Sequence, residues 1–171
     1  MTPDKLSLRG AERRSNLPET SGPQPSRDAP VIIIRSLAHA IAALGAAAET
    51  GRPVVIASAP DAGIYAGPGW WRALIEGARE AVPAAQFTAF LDCGDDAGAA
   101  MAAIRAGIEA VVFTGHADVV RRLADIAAQA GASLVTERPA PALDLGDPFF
   151  ADDDSVRRRC AEILASPPVF C

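Results

Sequence analysis

The 171-residue chain is 50% hydrophobic and 22% charged, which supports one packed domain and excludes wholesale disorder. Acidic residues (21) outnumber basic ones (16), and the net charge of −5 excludes a general attraction to nucleic acid or anionic membrane. Lys5 is the only lysine and His39 and His116 are the only histidines, so the folded part has no Schiff-base lysine, no P-loop lysine and no multi-histidine metal site.

Residues 1–30 are rich in Pro and polar residues and lack a periodic apolar pattern, which predicts a disordered tail. Arg9, Arg13 and Arg14 form a small basic cluster within it. From residue 31 to residue 171 the chain reads as one α/β domain. Val31–Ile34 is a short β-branched apolar run, as expected for a parallel strand covered on both faces. Leu37–Thr50 follows as a helix with Leu37, Ile41 and Leu44 on one stripe, and Gly51-Arg52-Pro53 stops it. Val54–Ala57 is the second strand. Trp70–Ala81 is the second helix, with Trp71, Leu74, Ile75 and Ala78 aligned. Phe87–Leu91 is the third strand, and Asp95–Ala106 is a helix with acidic residues at its positive end. Ala110–Phe113, the helix Ala117–Ala130 and Ser133–Val135 complete the alternation. Asp154–Ala165 is the last predicted helix, capped within Asp152-Asp153-Asp154 and stopped by Pro167-Pro168.

Five βα units in succession predict a parallel sheet with right-handed crossovers. Two architectures fit: a rearranged open parallel sheet, or a partial, truncated TIM barrel, since a whole barrel takes about 250 residues. Either places functional groups at the C-terminal ends of the strands. Cys93, Cys160 and Cys171 are too few and too scattered for a disulfide framework or a zinc finger. No run approaches the ~18–20 apolar residues of a membrane span, and no leader pattern opens the chain. The expectation is a soluble cytoplasmic protein.

The strand ends carry an ordered series of motifs. Pro53–Ala57 is followed by Tyr65-Ala66-Gly67. Then come Phe90-Leu91-Asp92-Cys93-Gly94, Ala103–Gly107, Val111–Gly115, Gly131–Glu137 and Asp147–Glu162. In this order and spacing, residues 31–165 resemble the N-terminal part of the class II, metal-dependent fructose- and tagatose-bisphosphate aldolases. The resemblance implies a TIM-barrel relative, with Asp92 in the place of the catalytic acid/base of the family's LDHG motif. It places Glu137 at a metal-site glutamate after the fifth strand, and the Asp147–Glu162 helix directly after that strand.

The departures are equally specific. Cys93 stands where the family has a histidine ligand of its zinc. Thr114-Gly115-His116 replaces a DGS motif. Ala59 replaces a substrate-touching serine, with Ser58 one position off. The family's strands 6 to 8, with two further histidine ligands and the Gly-rich phosphate loops, have no counterpart. Cys93, His116 and Glu137 follow neighbouring strands and form a candidate metal set, Zn2+ being the ion the resemblance implies. Asp92 is open to a plainer role, as an N-terminal charge for the helix beginning near Asp95. Arg157-Arg158-Arg159 reads as a solvated helix face.

Two functions stay open. One is a binding or assembly module, a pseudoenzyme. The other is a metal-dependent lyase that cleaves a phosphorylated sugar, its site completed by oligomerisation or a partner. Either way a barrel cut after five strands exposes sheet edges and an apolar inner face. A homo-oligomer or a protein partner covering the open edge is therefore expected, with room for a small phosphorylated ligand. Pro167–Cys171 is apolar enough to lie across an edge.

Overall fold

A computed structural model describes residues 29–146 and 152–166. The predicted tail up to residue 28 and the Pro167–Cys171 segment lie outside the described residues.

Strand β1 (Val31–Ile34) leads through Ser36 into α1 (Leu37–Thr50). Ser36 is extended, and its hydroxyl accepts from the His39 amide at 3.2 Å, satisfying one orphan donor of the first turn. Gly51 closes the helix at φ +63°, a conformation that favours glycine. The chain continues through β2 (Val54–Ser58), a short helix α2 (Ala62–Tyr65) and α3 (Gly67–Ala81), which has a proline in its first turn. It goes on through β3 (Phe87–Asp92), α4 (Ala97–Arg105), β4 (Ala110–Val112), α5 (Ala117–Ala130) and β5 (Ser133–Val135). A two-residue strand β6 (Leu143–Asp144) and α6 (Asp153–Ala165) follow.

The sheet is six-stranded and all parallel, in the order β5-β4-β3-β2-β1-β6. The fold class is the predicted α/β, an open, partial TIM-barrel wall. Sequential order with right-handed crossovers lays the helices along one face, where α5, α4, α3, α1 and α6 touch in that succession. Ile32, Ile34, Val54, Ile56, Leu91 and Val111 point into this helical layer and are buried. Val55, Ala57, Phe90, Ala110 and Val112 alternate with them and form a second apolar cluster on the opposite, inner face.

Four features differ from the reading of the sequence. Helix α2 is new, and α3 begins at Gly67 rather than at Trp70. On α1, Leu37 and Ile41 are exposed, while Ala40, Ala43, Leu44, Ala46 and Ala47 are buried. Small side chains let α3 and α6 approach on both flanks of this helix, so the alanines turn inward. The largest difference follows β5. The chain does not add a strand beside β5. Residues 136–142 cross to the far edge, where Ile32 aligns with Leu143 and Ile33 with Asp144. The Ala142 amide donates to Val31 O (2.8 Å) and the Leu145 amide to Ile33 O (2.9 Å). Helix α6 then packs on α1, so it belongs to the β1 edge and not to the fifth unit. Residues 136–142 thus form a strap over the inner face, without regular structure.

Helix caps agree with the sequence. Asp96 caps α4 through the Ala99 amide, and Asp152 caps α6 through the Ser155 amide, each at 2.8 Å. Trp71, Leu74, Ile75 and Ala78 are buried together beneath α3. No helix among the described residues is long and apolar enough to cross a membrane.

Candidate functional site

Asp92 ends β3 and points to the inner side, in phase with Phe90. Its side chain is only 8% exposed, and both oxygens are engaged. Oδ1 accepts from the amides of Gly94 (2.8 Å) and Asp61 (3.0 Å) and from Arg138 Nη2 (3.1 Å). Oδ2 accepts from Arg138 Nε at 2.6 Å. The same Nη2 donates to Asp61 Oδ1 at 2.5 Å. One guanidinium thus holds two carboxylates in a charge-assisted fork. The hydrogen bond to Asp92 raises the Arg138 pKa above its ordinary value against the opposing effect of burial, and the charges of Asp92 and Asp61 add to it.

Local backbone geometry builds this cluster. The Asp92 amide donates to the buried Ser58 hydroxyl (2.9 Å), which donates to Ala59 O (3.1 Å). Asp61 sits at φ +61°, uncommon for a residue other than glycine, and this turn brings its amide and its carboxylate to the same place. Gly94 has φ +55°, and a Cβ there would lie 2.3 Å from Asp61 Oδ1. Only glycine fits on both counts.

The predicted metal set is not brought together. Cys93 follows Asp92 and so points to the opposite, helical side, where it is fully buried. A Cβ on Gly63 would come within 2.4 Å of its Sγ. Burial pushes the thiol up to about 12, with Asp92 and Asp96 adding to the effect, so the thiolate needed for metal binding is disfavoured. His116 is exposed at the N-cap of α5 and makes no capping bond through its side chain. Glu137 is exposed on the strap. Among the described residues no group of three or more His, Cys, Asp or Glu side chains is placed to hold a metal ion. These residues do not fit a zinc site.

Two pockets open at the strand ends. One, about 490 Å³, lies by Asp95, Phe113, Thr114 and His116 and is wide and shallow. The other, about 300 Å³, lies between the inner face and the strap. Ile33, Ala57, Phe90 and Val112 form its floor, with Asp92, Arg138 and Asp144 at its rim. Asp144 is held by Arg35 at 3.0 Å.

Arg138 and Asp61 were not singled out in the sequence, although both lie in strand-end segments. Their partnership spans 77 residues, and that of Arg138 with Asp92 spans 46. The signal available was a lone arginine between β5 and two prolines, in a segment that also carries Glu137.

No protein-family model and no curated protein matches the chain. Among solved structures it is similar to a candidate fructose-1,6-bisphosphate aldolase from Coccidioides immitis. The TM-score is 0.51 at 21% identity, over 62% of this chain and 44% of that protein. The fold is aldolase-like. The match spans less than half the length of that relative, and at this identity it speaks for architecture alone.

Proposed function

We propose that the chain is a truncated, degenerate relative of the class II aldolases that lacks autonomous aldolase activity and acts as a binding and assembly module in the cytoplasm. The observation that carries this reading is the engagement of Asp92. An acid/base carboxylate exchanges its proton with substrate, whereas this one has both oxygens tied to Arg138 and two backbone amides. Support for truncation comes from β6. It occupies the flank of β1 against which the last strand of a barrel would close. Support for assembly comes from β5, which ends the sheet with one flank unpaired among the described residues. A second copy of the chain or a separate protein would cover it.

A metal-dependent lyase completed across a subunit interface is the second reading. It is favoured by the strand-end position of Asp92 in an aldolase-like fold. Such an enzyme would need metal ligands from another chain. The experiment is aldol cleavage of fructose- and tagatose-1,6-bisphosphate with zinc supplied, using the full chain and Asp92→Asn. The expected result is no turnover in either. Turnover that disappears in Asp92→Asn would overturn the module reading and establish the lyase.

A further inference from the structure

The cavity between the inner face and the strap has a definite chemistry. Its floor comes from four adjacent strands: Ile33 on β1, Ala57 on β2, Phe90 on β3 and Val112 on β4. Pro139 and Pro141 of the strap stand over it. We propose that this cavity binds a small uncharged or cationic molecule with an apolar body and one polar group, and that it rejects anions, sugar phosphates included. The inference rests on the binding-module reading and specifies the ligand for it.

Size and lining set the body of the ligand. About 300 Å³ is at the lower end of small-molecule sites. It equals the space of about ten water molecules at ~30 Å³ each. An apolar floor with a few convergent polar groups is the usual composition of such sites.

Charge sets the polar group. The rim carries two carboxylates, Asp92 and Asp144, and one guanidinium, Arg138, while Asp144 is also paired with Arg35 outside the lining. The Arg138 guanidinium is already shared between Asp92 and Asp61. Arg138 Nε and Nη2 are engaged, so an incoming anion reaches this guanidinium either through Nη1, beside two carboxylates that repel it, or by drawing Arg138 off Asp92. The second course would strand a carboxylate that is 8% exposed and has no other cation bonded to it among the described residues. A hydroxyl or ammonium group displaces nothing. It can donate to the remaining lone pair of Asp92 Oδ2, which accepts one described bond, or to Asp144 at the opposite rim. The cavity lies where residues 136–142 cross the inner face without regular structure.

The test uses three probes of one shape, benzylamine, benzyl alcohol and benzoate, with fructose-1,6-bisphosphate beside them. Each is titrated into the isotope-labelled full chain, and backbone amide shifts are followed by NMR. Benzylamine and benzyl alcohol are expected to give saturating shifts at β1 to β4 and the strap. Benzoate and the bisphosphate are expected to bind at least about tenfold more weakly. Ala57→Leu fills the floor and is expected to abolish the shifts with circular dichroism unchanged. If that variant does not fold, Val112→Phe serves the same purpose from the neighbouring strand. Equal or tighter binding of benzoate or the bisphosphate would overturn the inference, as would shifts that survive both filled variants. Absence of binding by all four probes would overturn it too, while leaving the assembly reading intact. Turnover of the bisphosphate would instead remove the module reading itself.

Discussion

The two faces of the sheet are closed in different ways. On the helical face, Ile32, Ile34, Leu91 and Val111 are completely buried beneath five long helices. On the inner face, Val55, Phe90 and Val112 are buried as well, but Val31, Ile33 and Val135 remain partly exposed. The element over that face is a strap without regular structure, pinned by one arginine. The first face rests on distributed apolar packing, and the second depends on a polar clamp. Damage to the first should therefore cost stability broadly, and damage to the second should act on the strap.

The largest effect is expected at Trp71, which is 1% exposed under α3. Trp71→Ala removes a large buried side chain and should cost about 4 kcal/mol, read as a lower denaturant midpoint. A loss below about 1 kcal/mol would mean that the helical face is loosely packed and would break the comparison. Next comes Arg138→Ala, which leaves Asp92 buried without its cation. The expected loss is about 2 kcal/mol, less than for a fully buried pair because the Arg138 side chain is 43% exposed. Hydrogen exchange should rise at Ala142 and Leu145, whose amides tie β6 to β1, and should stay unchanged at α3. Equal exchange on both faces would show that the strap is not a separate unit.

A third, smaller effect is expected where the faces meet. Gly63→Ala would drive a methyl group into Cys93 Sγ and, at 3.0 Å, against the Asp92 carbonyl oxygen. A cost of about 1–2 kcal/mol is expected. Cys93→Ala in the same chain should recover part of it, measured as a double-mutant cycle. Full additivity would mean that the two sites do not touch.

The smallest effect is a pH dependence. Burial pushes Cys93 up to about 12 and Cys160 up to about 11, from an ordinary 9.0. As pH rises above 9.0 the unfolded chain loses these protons first, so unfolding is favoured. The contribution to stability is complete below the ordinary thiol value and is lost as pH climbs through about 11 and 12. Unfolding midpoints at about pH 8 and about pH 10 should therefore differ, and Cys93→Ala with Cys160→Ala should reduce the difference. No reduction would place the alkaline sensitivity elsewhere.

Much of this was legible in the chain. The runs from Val31–Ile34 to Ser133–Val135 are strands at those places, and α1 and α5 have the predicted bounds. Period and stop signals are local, so they survive folding. The site was legible only in part. Asp92 was found because Leu91-Asp92-Cys93-Gly94 resembles the aldolase family's LDHG motif, and β3 does place it at the centre of the polar cluster. Cys93 was grouped with His116 and Glu137 because all three follow neighbouring strands. Adjacency along the sheet says nothing about which face a side chain takes, and the period of two turns Cys93 to the helices. Strand β6 escaped notice because two residues carry no periodicity.

The sequence by itself determined the alternation of strands and helices, and with it the parallel sheet and the strand-end location of the polar residues. Those follow from nearest-neighbour geometry and the hydrophobic pattern. The tertiary structure alone decided that the chain leaves β5 for the far edge of β1, and that Arg138 meets Asp92 and Asp61. It also decided that a cavity remains under the strap. Those depend on contacts between residues far apart in the chain, which the local hydrophobic pattern and stop signals do not encode.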